Sequence, residues 1–166
     1  MAKSKEVKTN AMRILDRMKI PYTFQTYECE EFIDGQHAAD LLSLPHEIVF
    51  KTLVTEDGTR NYFVFAIPID AELDLKKAAK AAGCKSLSMI HVKDIQSVTG
   101  YIRGGCTAIG MKKNYPVFMD ASALQYEKIA VSGGKIGLQL MLTPRDYEKA
   151  ARASFCTLTR AAADHA

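Results

Sequence analysis

The sequence predicts a mixed α/β domain of the α+β kind, and three observations carry that prediction. A β-hairpin is written around Asp57-Gly58, with apolar runs Phe50 to Thr55 and Arg60 to Ile67 on either side. The second of these runs is apolar on both faces (Tyr62, Val64, Ala66 against Phe63, Phe65, Ile67), which requires cover on both sides of the strand. Helical and strand patterns then alternate irregularly, unlike the strict alternation of a doubly wound sheet.

Taken in order, Ala11, Ile14, Leu15 and Met18 recur at helical spacing, and Thr9 or Asn10 can cap that helix. Pro21 ends it and opens an extended stretch, Tyr22 to Tyr27. A short helical pattern from Gln36 to Leu42 stops near Pro45. The hairpin follows, with a tight primed turn expected at Asp57-Gly58. Asp74 can cap a helix whose apolar stripe is Leu75, Ala78, Ala79 and Ala82, and Gly83 is its stop. Val92 to Thr99 reads as a short helix ended by Gly100. Pro116 to Asp120 and Lys128 to Ser132 read as strands, and Gly133-Gly134 turns the chain into a third, Ile136 to Leu142. Thr143 then caps the last helix, with Pro144 in its first position.

The chain has 166 residues, 48% of them hydrophobic, which suits one domain with a sizeable core. Its 22 Lys and Arg against 19 Asp and Glu leave a net charge of +3, too little for a polybasic arm but compatible with attraction to RNA. The longest apolar run, Tyr62 to Ile69, falls far short of the roughly 20 residues that cross a bilayer. The N-terminus has no apolar segment behind its lysines, so no secretory signal is read. Cys29, Cys84, Cys106 and Cys156 contain no CxxC pair and read as reduced thiols, with the cytoplasm as the default compartment. Four histidines show no ligand spacing, so no metal and no cofactor are expected. There is no GxGxxG or GxSxG motif. Ser132 to Gly137 superficially resembles a phosphate loop but lacks its spacing, and reads as a hairpin turn.

Two places can carry chemistry. From Gly100 to Gly110, four glycines in eleven positions expose main-chain amides. The segment is either a plain crossover or a set of N–H donors for the oxyanion of an attacked ester. Within it, Cys106 is either a small buried filler or a nucleophile, the latter needing a base or positive field near it. Lys51 lies in the first hairpin strand. It either reaches solvent from an edge or meets an anionic ligand in a partly enclosed space.

The run Phe50-Lys51-Thr52-Leu53-Val54, then Leu75-Lys76-Lys77-Ala78-Ala79, the glycine-rich loop and Val131-Ser132-Gly133-Gly134-Lys135 resemble the YbaK/EbsC aminoacyl-tRNA deacylases. These are relatives of the editing domain of bacterial prolyl-tRNA synthetase. The similarity spans residues 1–158 as one editing domain and leaves 159–166 as a short tail. It implies a compact, barrel-like mixed sheet surrounded by helices. It also implies an enzyme that clears cysteine from mischarged Cys-tRNA(Pro), and from Cys-tRNA(Cys), by letting the substrate's own thiol attack its ester. The alternatives are an Ala-tRNA(Pro)-type deacylase of the same family or a non-catalytic tRNA- or nucleotide-binding module.

Carried over by motif, Lys51, Gly104 and Gly105 match the catalytic lysine and the loop facing the ester. Tyr27, Thr107 and Asp146 match substrate-binding positions. Asp146 also suits a capping role after Thr143. Lys76, Lys77, Lys80, Lys85, Lys112 and Lys113 are candidates for contact with tRNA phosphates. A transient complex with prolyl-tRNA synthetase is implied, and neither membrane nor DNA. One departure stands out: where the family loop commonly reads Gly-Gly-x-Ser-Pro-x-Gly, this chain has Gly104-Gly105-Cys106-Thr107-Ala108-Ile109-Gly110. The stiffening proline is lost at Ala108, which puts the amino acid selected in question.

Overall fold

The hairpin is the centre of the molecule. The computed structural model describes residues 8–28 and 35–160, and in it β2 (Phe50–Glu56) pairs antiparallel with β3 (Tyr62–Pro68) over their whole length. The connection is longer than a primed turn. It runs from Asp57 to Asn61, closed by Asp57 N–H donating to the Asn61 carbonyl at 3.1 Å. Gly58 and Arg60, but not Thr59, take positive φ. The Asp57 carboxylate explains the difference, because it accepts from the Thr59 and Asn61 amides and both of their side chains. Those bonds hold its pKa well below the usual carboxylate range.

Around the hairpin stand α1 (Asn10–Arg17), β1 (Thr23–Thr26), α2 (Gly35–Leu41), α3 (Leu75–Ala82), β4 (Ser88–Met89), α4 (Ile95–Thr99), β5 (Val117–Asp120), β6 (Ile129–Ser132), β7 (Leu138–Leu142), α5 (Pro144–Ala151) and β8 (Ala153–Cys156). One sheet has the order β4-β2-β3-β5-β8, and its β3–β5 and β5–β8 pairs are parallel. The other has the order β1-β7-β6 and is antiparallel. The mixed α/β class read from the sequence is therefore right, but the barrel is not closed. Among the described residues the two sheets are joined only by a single parallel bridge, Val49 to Ala130.

The hydrophobic core lies in two layers. Val54, Val64, Ala66, Val117 and Met119 face the second sheet, α1 and α5. Phe65, Ile67 and Leu53 face α3 on the other side, where Phe65 stacks on Phe118 with centroids 5.3 Å apart. Full burial of Phe65 and Ile67 contributes about 1.5–3 kcal/mol each. The double cover inferred for β3 is thus present.

The helix caps follow the sequence. Thr9 accepts from Met12 N–H, Asp74 accepts from Lys76 and Lys77 N–H, and Thr143 accepts from Asp146 N–H. Gly83 is left-handed at φ 75° and ends α3. Two apolar residues counted into helix stripes remain exposed: Met18 at 41% and Leu75 at 38%. Each sits at a helix end, Met18 as the C-cap of α1 and Leu75 as the first residue of α3. Val92 to Thr99 is a 3-10 turn (Val92–Asp94) followed by α4, not one helix. The chain stays paired to Arg160, whose N–H donates to the Glu72 carbonyl. Cys29 and residues 161–166 lie outside the described residues.

Candidate functional site

The open edge of β2 makes the site. Ile69 N–H donates to the Val49 carbonyl, so odd-numbered residues of β2 face β3 with their main-chain groups. Pro68, which has no N–H, sits opposite Phe50 at a position that needs none. The even-numbered residues face the other way. There Val54 is taken by Ile90 N–H, because β4 covers only the far end of β2. Nearer its start, beyond the Val49–Ala130 bridge, the strand has no ladder partner on that side among the described residues. A cavity of about 410 Å³ opens along this edge, between the two sheets.

Lys51, Tyr27, Gly104, Cys106 and Arg103 all line it. Lys51 is half-buried, and burial lowers its ammonium pKa while the carboxylates of Glu72 and Asp70 partly oppose the shift. An anion in the cavity would oppose the shift further, because it favours the charged form. Tyr27 is held by its N–H, which donates to the Gly137 carbonyl at 2.9 Å. Gly137 must be glycine here: at φ 89° its Cβ would stand 2.6 Å from the Tyr27 carbonyl oxygen.

The two glycine-rich loops meet at Gly105. A Cβ there would lie 2.6–2.9 Å from the main chain of Lys135. Gly105 N–H is already given to the Ile102 carbonyl, so it is not available to a ligand. Among the described residues, however, the amides on either side, Gly104 and Cys106, have no hydrogen-bond partner. The first turn of α1 pins both loops. Thr9 donates its hydroxyl to the Gly133 carbonyl, and Asn10 donates its amide to the Gly110 carbonyl.

Two polar residues that the motif reasoning passed over complete the lining. Ser132 and Gln139 are cross-strand partners on β6 and β7. Their Oγ and Oε1 atoms are buried and lack a hydrogen-bond partner among the described residues, a costly state that a polar ligand relieves. One signal was available for Gln139: it is the lone amide in the otherwise apolar strand Leu138–Leu142. Ser132 was hidden by its reading as part of a plain turn.

The remaining candidates lie elsewhere. Thr107 is fully buried, accepts from Ile109 N–H at 3.4 Å, and does not line the cavity. Asp146 lies in the first turn of α5, where its N–H donates to the Thr143 cap, and is also outside the lining. Lys76, Lys77 and Lys80 ride on α3, over the outer face of the larger sheet, and Lys77 donates to the Thr159 carbonyl. Lys112 is tied to the Ser97 carbonyl, while Lys113 and Ala108 line a second cavity beyond the loop. Burial pushes the Cys106 thiol up to about 11, against the Thr99 hydroxyl, so at neutral pH only about one in ten thousand is thiolate. It is a poor nucleophile. No group of three His, Cys, Asp or Glu among the described residues is placed to hold a metal ion.

Residues 31–150 match the family described as the aminoacyl-tRNA editing domain. Over 163 residues the chain is 43% identical to a protein of Enterococcus faecalis (strain ATCC 700802 / V583) named as a candidate Cys-tRNA(Pro)/Cys-tRNA(Cys) deacylase, EbsC, covering 96% of this chain and 98% of that one. The crystal structure of a candidate trans-editing enzyme for prolyl-tRNA synthetase superposes with a TM-score of 0.78 at 18% identity, covering 94% of this chain and 100% of that one. A hypothetical protein of known crystal structure superposes at 0.81 with 20% identity, over 91% of this chain and 99% of its own. At those identities the two structures speak for the fold alone.

Proposed function

The chain belongs to the aminoacyl-tRNA editing domain family, and on that footing we propose that it is a deacylase that clears mischarged Cys-tRNA(Pro), and Cys-tRNA(Cys). The observation that carries the reading is the composition of the cavity. It gathers a half-buried ammonium, free loop amides and two unpaired buried oxygens, with no His, Asp or Glu among its described lining residues. Such a site can bind and orient an activated ester, and none of its described lining residues is a His, Asp or Glu that could take a proton from water.

The substrate then supplies the nucleophile. The Sγ of the esterified cysteine bonds to its own carbonyl carbon, the C–O bond to the terminal ribose breaks, and the thiol proton ends on the ribose oxygen. The products are a cysteine thiolactone and tRNA with a free terminal ribose. The Gly104 and Cys106 amides face the developing oxyanion, each such donor contributing about 3 kcal/mol to the transition state. Lys51 anchors the phosphate of the terminal adenosine or orders the aminoacyl group. Ser132 and Gln139 accept from the substrate's ammonium. Ala108, the departure from the family loop, lines the second cavity and not this one. Action on tRNA fits the cytoplasm as its compartment, and a transient complex with prolyl-tRNA synthetase would supply the choice of tRNA.

The test is deacylation of Cys-tRNA(Pro) beside Ala-tRNA(Pro) by wild type and Lys51→Ala. Loss of the cysteinyl ester is expected to be fast in the wild type and about 100-fold slower in the variant. A preference for the alanyl ester would move the protein to another editing branch. If neither ester is lost faster than in buffer, with the synthetase present, the protein is a binding module.

A further inference from the structure

The second cavity, about 340 Å³, lies between α1, the glycine-rich loop and the end of α5. Its rim carries Arg17, Lys113, Lys149 and Arg152, and its lining holds no acidic residue. Among the described residues none of these four side chains has an ion pair or hydrogen-bond partner. The whole chain has a net charge of only +3, so this one mouth concentrates more positive charge than the entire molecule carries in excess. Arg17 and Lys149 sit in the last turns of α1 and α5, where a cation offsets a helix dipole worth about half a charge. Two such ends cancel only about one of the four charges. Ile14 and Met111 add apolar surface to the lining.

Arg152 adds an independent observation. It caps α5 in the left-handed region at φ 57°, where helices usually place glycine. Holding an arginine there costs about 1–2 kcal/mol of backbone strain. That cost is explained if the guanidinium has a task at the rim.

The two cavities share a wall. Gly104 and Cys106 line the first, and Ala108 and Gly110 line the second. Even fully extended, the segment from Gly104 to Gly110 spans at most about 20 Å, roughly the rise of six stacked nucleotides. A strand whose aminoacylated end enters the first cavity can therefore reach the second with its preceding phosphates. We propose that the Arg17–Lys113–Lys149–Arg152 cavity is the docking site for the phosphodiester backbone of the tRNA acceptor arm, just upstream of the aminoacylated end. This rests on the deacylase reading for its substrate, but the charged cavity itself does not depend on turnover. Of the expected contacts Lys76, Lys77, Lys112 and Lys113 it keeps only Lys113, since α3 lies across the larger sheet and Lys77 and Lys112 are engaged.

The experiment compares two charge-matched pairs, Lys113→Gln with Lys149→Gln at the cavity and Lys76→Gln with Lys80→Gln on α3. Binding of uncharged proline tRNA is followed by anisotropy across a salt series. The cavity pair is expected to reduce the slope of log K against log salt by about 1.8 and to weaken binding roughly 30-fold at physiological salt, while the α3 pair changes neither. Turnover is measured in parallel on Cys-tRNA(Pro) and on cysteine esterified to a CCA trinucleotide. The cavity pair should raise KM for the whole tRNA and leave kcat on the trinucleotide unchanged. Equal slopes for the two pairs, or equal losses on both substrates, overturn the proposal. If the wild type turns over neither substrate while the cavity pair still lowers the slope, the docking site stands and the deacylase reading falls.

Discussion

Replacing Gly105 by alanine tests how the site is assembled, because the added methyl has nowhere to go. Its Cβ would lie 2.6 Å from Lys135 Cα, 2.8 Å from the carbonyl carbon and 2.9 Å from the nitrogen. All three are main-chain atoms, so no side chain can swing aside. Reaching ordinary contact requires the two glycine-rich loops to part by about 1 Å, an overpacking cost of roughly 1–3 kcal/mol. Parting them also carries Gly104 and Cys106 on one loop away from Ser132 on the other. A misplacement of that size costs on the order of 100-fold in rate when orientation is the main catalytic device. Urea denaturation, with deacylation of Cys-tRNA(Pro) measured under folded conditions, reads both effects. Gly58→Ala is the control: its φ of 90° is positive, unlike that of Gly105, but nothing lies within 4 Å, so only backbone strain is added. Wild-type stability together with wild-type turnover in Gly105→Ala would refute the reasoning. Turnover lost in Gly58→Ala would refute it as well.

Three further outcomes are expected. His46 bridges Asp40 at 2.8 Å and Asp70 at 2.9 Å, and these bonds raise its pKa above 6.5. Its contribution to stability is therefore complete below 6.5 and lost as pH rises through the folded-state value. The melting temperatures of wild type and His46→Gln should differ at acid pH and converge at alkaline pH; a gap independent of pH contradicts this. Cys106→Ser should retain turnover, and iodoacetamide should inactivate the wild type slowly, since the thiol is pushed up to about 11. Arg152→Gly should gain about 0.5–1 kcal/mol in denaturant unfolding, the relief of a left-handed arginine less the chain entropy of glycine. The same variant should bind tRNA more weakly, and a loss of stability would contradict the strain.

What was legible in the sequence was local. Thr9, Asp74 and Thr143 cap the helices they were expected to cap, and β3 is covered on both faces as its residues required. The Asp57 loop was misjudged because its length is set by side-chain bonds to Thr59 and Asn61, which a glycine-based turn rule does not weigh. Two strands were not foreseen. β4 has two residues, and β8 follows α5 after only Arg152, so neither has room for a periodic pattern. The parallel pairs β3–β5 and β5–β8 depend on crossovers that no local pattern encodes. At the site, the sequence marked Lys51 and the glycine loop, and the fold brings both to one cavity with Tyr27. Gly105 was read as a donor of its amide, whereas the structure gives it a packing role against Lys135. Ser132 and Gln139 become visible only as a cross-strand pair whose oxygens are buried without partners.

The central claim is that this cavity orients an ester which cleaves itself. It is tested most directly by the rates of loss of cysteine and serine from the same proline tRNA under single-turnover conditions. The two esters are nearly the same shape, but a hydroxyl is a far weaker nucleophile than a thiol. The account predicts rapid loss of the cysteinyl ester, at least about 100-fold faster than the seryl ester, when binding of the two is equal. Seryl and cysteinyl esters lost at the same enzyme-accelerated rate would contradict it, because the attacking group would then have to come from water or from the protein.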